Sequence, residues 1–149
     1  RDFWLVGGAS NTGGAVLAHF FSGAELARLS AQIDPDRDTG LGYYPLLSPG
    51  ERFPRNDPDF AGFMSPRPED DALFLAGLFE GIAAVEATCY REIERRGGRY
   101  PTRIFSAGGG AANAVYARIR SRCLGLAVER ATHGDAAIGT ARLAGWVAS

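Results

Sequence analysis

The chain contains no lysine, and all 16 of its basic residues are arginine. Chemistry that needs a primary amine, such as a Schiff base or the lysine of a Walker phosphate loop, is therefore excluded. Against 17 acidic residues the formal net charge is −1, so no basic field is present to attract nucleic acid or an anionic membrane. Cysteine occurs only at Cys89 and Cys123, inside helical patterns and without metal-ligand spacing. A thiol there packs as a small apolar group, and the pair points to a reducing cytoplasm. Histidine is as scarce: His19 and His133 could act as bases near neutrality, but an isolated histidine is more often a surface or packing residue. No apolar run approaches the roughly 20 residues that span a bilayer, and the start lacks the basic, apolar and cleavage regions of a signal peptide. Met64 is the one methionine, and the chain opens Arg1, Asp2, Phe3 on strand-like residues. We expect an excerpt of a longer protein.

What is present suits one globular domain. With 149 residues, 46% hydrophobic and 22% charged, the chain buries roughly two thirds of its unfolded surface. Glycine is concentrated in two places. A strand-like run, Phe3 to Val6, leads into Gly7, Gly8, Ser10, Asn11, Thr12, Gly13 and Gly14, and then a helical pattern. Near the other end a strand, Arg103 to Ala107, runs into Gly108, Gly109 and Gly110, then Ala111, Ala112, Asn113 and an amphipathic helix. Residues without side chains let a ligand lie on backbone, and a following helix offers it unpaired N–H groups. The arrangement suits a nucleotide, although a tight turn alone also uses glycine. Ser10, Asn11 and Thr12 could contact phosphate, but these residue types more often cap their own backbone.

Between these turns the periodicity predicts two short helices, Ala15 to Phe21 and Ala24 to Ile33, with Gly23 as the break. Residues 34–68 hold seven of the eight prolines, which prevents a long regular element. Leu41, Tyr43, Tyr44, Leu46, Phe53 and Phe60 in the same stretch are too apolar for a disordered linker. An ordered excursion covering another surface is expected. A long helix follows, with Pro68 in its first turn and Gly97 and Gly98 at its end; Leu75, Leu78, Phe79, Ile82, Val85, Cys89 and Ile93 form its apolar stripe. A helix through Val115, Ile119 and Cys123, a strand at Leu126 to Glu129 and a closing helix at Asp135 to Val147 complete an α/β domain with a mixed sheet.

Four segments, GGASNTGGAVL from Gly7, YYPLLSPGERFP from Tyr43, GGGAANAVY from Gly108 and DAAIGTARLA from Asp135, resemble the C-terminal ATP-binding domain of FGGY-type carbohydrate kinases. The resemblance covers nearly the whole chain. It implies an actin-like ATPase (ribonuclease H-like) fold, a mixed sheet flanked by helices, with residues 1–149 as the C-terminal domain and the N-terminal sugar-binding domain absent. Within the family, the first segment and YYPLL before GERFP most resemble plant and cyanobacterial kinases acting on D-ribulose. The resemblance implies ATP and Mg²⁺ as cofactors: backbone at Gly109 and Gly110 approaches the adenosine, Asn113 contacts adenine, and Tyr116 packs against the base where relatives carry tryptophan. Gly13 and Gly14 face the phosphates. For Glu51 and Arg52, in the GERFP marker, an ion pair or loop anchor is expected, and Asp135 and Gly139 are expected to be structural. The catalytic aspartate, the sugar pocket and the Asp-x-Gly loop all belong to sequence upstream of Arg1, so no catalytic or metal-ligating residue is expected here. The expected reaction of the whole protein is transfer of the γ-phosphoryl group of ATP to a ketopentose-like sugar; a nucleotide-dependent switch of the actin superfamily is the alternative. A dinucleotide oxidoreductase fits less well, because neither turn gives GxGxxG with an acidic residue about 20 positions later.

Overall fold

The longest element is a 25-residue helix, Asp71–Arg95, numbered α3 below. Phe74, Leu75, Leu78, Phe79 and Val85 recur along one side of it and are buried, which at about 1.5–3 kcal/mol per large side chain is what holds so long a helix in place. Its start lies later than Pro68. The Asp70 carboxylate accepts the Ala72 N–H at 2.8 Å, satisfying one of the unpaired donors of the first turn, and this cap fixes the boundary. The end is the expected one, with Gly97 at φ 92° just beyond Arg95. By length and composition α3 could also cross a bilayer. Glu80 and Glu86 break what would otherwise be an unbroken apolar run, and 72% of the apolar stretch is buried in the protein's own core.

In this computed structural model the described residues are 6–132, together with Ile138, Ala141, Ala144 and Gly145. Most of the first expected strand and most of the closing helix lie outside them. Two short helices precede the spine: α1 (Gly14–Phe20) and α2 (Gly23–Ser30). Their break is Ser22 rather than Gly23. The Ser22 hydroxyl accepts the Glu25 N–H at 3.3 Å and the Glu25 carboxylate accepts the Ser22 N–H at 2.8 Å, a reciprocal cap that starts α2 at once. α2 ends at Ser30, so Ile33 lies in the turn beyond it. Val16 and Leu17 of α1 and Leu29 of α2 join the α3 residues in one core.

After α3 the chain forms β1 (Ile104–Ser106), a single 3₁₀ turn (Gly109–Ala112), α4 (Ala114–Leu124) and β2 (Val128–Arg130). β1 and β2 pair in parallel, Ile104 opposite Val128 and Ser106 opposite Arg130, and parallel neighbours need a crossover such as α4. Helices with a two-stranded parallel sheet are consistent with the expected α/β class, while the mixed sheet is not seen among the described residues. Both strands are shorter than expected, and β2 begins two residues later than the apolar run at Leu126. Ile119 and Leu124 bury α4 against α3 and β1.

The proline-rich excursion is ordered, as its apolar content requires. Antiparallel bridges at Tyr44–Phe63 and Glu51–Asp57 fold it on itself, and Tyr43 and Leu46 are buried. It lies on α3 where that helix has no side chains: a Cβ on Gly77 would come within 2.7 Å of Leu41, and one on Gly81 within 2.7 Å of the Tyr43 carbonyl oxygen. Helix propensity alone favours alanine over glycine by about 1 kcal/mol. Here the clash is with backbone and cannot be relieved by a rotamer change. Gly81→Ala is thus expected to lower stability by about 1–3 kcal/mol, measured by urea unfolding, with an unchanged or raised midpoint as the contrary result.

Candidate nucleotide site

The two glycine turns have different supports. In the first, Gly13 has φ 145° and ψ −153°, a conformation that only glycine adopts without strain. The turn before it is tied to the excursion through Glu51, which is 3% exposed. One carboxylate oxygen accepts the Asn11 N–H at 2.8 Å and the Arg52 N–H at 2.8 Å; the other accepts the Ser10 hydroxyl at 2.6 Å and the Tyr44 hydroxyl at 2.8 Å. Burial by itself would raise the Glu51 pKa. The four donors outweigh it and hold the carboxyl below its usual 4.5. Tyr44, pushed well up by burial and by the facing carboxylate, keeps its proton and donates it. Arg52 completes the joint, its Nε donating to Asn11 Oδ1 at 2.7 Å. Glu51 and Arg52 therefore anchor the loop, one of the two roles expected for them. Ser10 and Asn11 are engaged in this joint, while Thr12 Oγ1 is buried with no hydrogen-bond partner among the described residues.

The second turn leaves β1 at Ser106 and passes Gly108, at φ 81°. Asn113 then caps α4: its Oδ1 accepts the Tyr116 N–H at 3.0 Å, and its Nδ2 donates to Ser30 Oγ at 2.8 Å. The same side chain thus starts one helix and fastens the turn to the end of another. Tyr116, one turn into α4, stacks on Phe79 with ring centroids 4.7 Å apart and 29° between planes. Burial pushes its phenol up to about 12. The ring edge lies beside Gly110, where a Cβ would sit 3.5 Å from Tyr116 Cε1. The aromatic expected against a base therefore has a protein stacking partner on one face.

Gly14, Gly109, Gly110, Asn113 and Tyr116 all line one cavity of about 740 Å³ between α1, α2 and the second turn. That volume is in the range of small-molecule sites. Gly13 precedes the lining residues by one position. Five of the six candidate positions are thereby brought together from opposite ends of the chain. Its apolar walls are Leu17, Leu26, Phe79 and Val115; helical periodicity cannot distinguish a residue that faces the core from one whose edge also faces a cavity.

The glycines inside the cavity differ from those that shape the turns. A Cβ on Gly14 or Gly109 would meet nothing within 4 Å, and neither residue has a positive φ. Neither packing nor conformation demands glycine there, and Gly14 lies in a helical first turn where it costs about 1 kcal/mol relative to alanine. What the bare backbone supplies is room. No charged side chain lines the cavity among the described residues, so its chemistry is that of apolar walls, amide groups and main chain. It suits the base and sugar of a nucleotide better than a polyanion.

No group of three or more His, Cys, Asp or Glu side chains comes together among the described residues. These residues do not form a cage for Mg²⁺, an ion that in phosphoryl transfer is held largely by phosphate oxygens and water. His19 is exposed and packs edge-on to Phe20 at 4.9 Å, apart from the cavity lining. His133, Asp135 and Gly139 lie outside the described residues. Comparison with known families gives one match across nearly the whole chain: the FGGY family of carbohydrate kinases, C-terminal domain, over residues 1–148.

Proposed function

The chain belongs to the FGGY family of carbohydrate kinases as a C-terminal domain of that family, and from this membership we propose that its cavity is the adenosine site of an ATP-dependent sugar kinase. FGGY kinases transfer phosphate from ATP to sugars, and the coarse reading of this chain as the nucleotide half follows. The finer assignments are ours. Gly109 and Gly110 present main chain to the adenosine, the Nδ2 hydrogen of Asn113 that is not given to Ser30 is available to the base, and Tyr116, held by Phe79, forms the floor. Gly13 and Gly14 receive the phosphates, on which Mg²⁺ is carried to spread the charge that develops on transfer.

The acceptor we propose is a ketopentose-like sugar, D-ribulose or a close analogue, on the strength of GGASNTGGAVL and of YYPLL before GERFP. In this reading residues 1–149 are one half of a cleft whose other half supplies the sugar pocket and the aspartate base. Alone they turn over nothing, because water exclusion and alignment need both halves.

The observation that carries the reading is the cavity in which Gly14, at the start of α1 just after the first glycine turn, comes together with Gly109 and Gly110 of the second. Calorimetric titration with ATP, ADP and NAD tests it: the adenosine phosphates should bind and NAD should not. Gly109→Val is the matching variant, since a Cβ at this lining position meets no protein atom within 4 Å and the added bulk stands where bare backbone is assigned to the ligand. We expect it to weaken ATP binding by about tenfold or more, equivalent to about 1.4 kcal/mol, with stability unchanged to within about 0.5 kcal/mol. Unaltered ATP affinity in this variant would remove the assignment.

A further inference from the structure

We propose that Glu51, which does not line the cavity, is a positioning residue for the phosphate end of the nucleotide. The proposal rests on the nucleotide reading above and assigns the excursion a part in it.

A turn made of bare residues cannot be held by its own packing. Cβ atoms placed on Gly13 and Gly14 would meet nothing within 4 Å, so the openness that admits phosphate also removes the contacts that would fix the backbone. Rigidity must come from outside, and Glu51 supplies it symmetrically. Each of its oxygens takes one donor from the turn and one from the excursion: Asn11 N–H with Arg52 N–H, and the Ser10 hydroxyl with the Tyr44 hydroxyl. From Ser10 the path continues inward, since Ser10 Oγ accepts the Thr12 N–H at 3.1 Å and Gly13 follows. Two further contacts brace the same joint. Asn11 Nδ2 donates to the Gly50 carbonyl at 2.9 Å, and the Phe53 ring lies so close to Gly8 that a Cβ there would come within 2.5 Å of it. A buried carboxylate is costly unless fully paired; this one is paired entirely with groups that hold the turn against the excursion.

Positioning of this kind predicts a selective defect. Misplacing the turn by a fraction of an ångström should weaken contacts to phosphate more than contacts to adenosine, because most of the cavity lining lies on α2, the second turn and α4. Adenosine, AMP, ADP and ATP are titrated calorimetrically into the wild-type chain and into Glu51→Ala, Glu51→Gln and Ser10→Ala, with circular dichroism to establish folding. In the wild type, affinity should rise along the series. In Glu51→Ala the advantage of ATP over adenosine should fall by about ten- to a hundredfold. Glu51→Gln, which keeps one acceptor oxygen, should recover part of it, and Ser10→Ala should show a smaller loss in the same direction. If Glu51→Ala fails to fold, Ser10→Ala decides: an unchanged ATP-to-adenosine ratio there, or equal losses for both ligands in the glutamate variants, overturns the positioning role and leaves the nucleotide site standing. A wild-type chain that binds none of the four overturns the nucleotide reading itself.

Discussion

Arg120→Ala is expected to lower the unfolding free energy by about 3 kcal/mol, because it leaves the half-buried Glu86 carboxylate without its charged partner. Arg120 sits on α4 with 8% exposure. Its Nε and Nη2 donate to the two oxygens of Glu86 on α3 at 2.8 and 2.7 Å, and its Nη1 donates to Ser106 Oγ at 2.7 Å. One guanidinium thus joins the spine helix, the crossover helix and the last residue of β1 before the second glycine turn. The planar fork makes all three bonds at once, which an ammonium cannot do, so Arg120→Lys should recover only part of the loss. For a chain of this size the alanine variant should melt roughly 10 °C lower. Arg95→Ala is the contrast: Arg95 pairs with Glu92 at 2.9 Å, but its side chain is 75% exposed, and its loss should hardly move the midpoint. Arg120→Met combined with Glu86→Leu removes the charges together and should restore most of the stability. A melting temperature unchanged by Arg120→Ala, or a double variant no better than the single, would show that the pair does not tie the three elements together.

The parts of this fold that could be read from the sequence are those set by neighbours along the chain. α3 and α4 were legible because apolar residues recur at helical spacing, and the C-terminal end of α3 because Gly97 takes a positive φ that stops a helix. The boundaries missed were set by side-chain caps: Asp70 rather than Pro68 begins α3, and Ser22 rather than Gly23 divides α1 from α2. Both are residue types that favour the cap position, so the signal was present and was outweighed by the stronger proline and glycine punctuation. The two glycine turns were legible as candidate sites for the same local reason.

What joins the turns to the rest of the protein was not legible. Ser10 and Glu51 are 41 positions apart, and Asn113 and Ser30 are 83 apart; no periodicity spans such distances. The sequence does show Gly77 and Gly81 one helical turn apart in an otherwise strong helix former. Read for propensity, they only weaken the helix. Read for packing, a bare stripe on a buried helix signals that backbone lies against it, and the proline-rich excursion was the segment without a surface of its own. The purpose of that excursion follows from both contacts: it rests on α3 through the glycine stripe and reaches over to brace the first turn through Glu51.

Phe79→Ala tests the other end of the site and should have an effect as large as Arg120→Ala. Phe79 is 1% exposed in the centre of the core, and truncating such a ring costs about 3–5 kcal/mol in lost transfer energy and residual cavity. Phe79→Leu keeps most of the volume and loses mainly the aromatic stack on Tyr116, worth about 0.5–1.5 kcal/mol. Stability is only the first readout. The Phe79 ring holds Tyr116 beside Gly110, so without it the cavity floor is free to drop into the vacated space. Under conditions where Phe79→Ala remains folded, adenosine and ATP should lose affinity by the same factor, since the damage is confined to the end that both ligands share. Glu51 variants should weaken ATP and spare adenosine. The two substitutions therefore divide the ligand between the two turns. If Phe79→Ala weakened ATP selectively, or spared both ligands while destabilising the fold, the adenosine end would not lie over Tyr116.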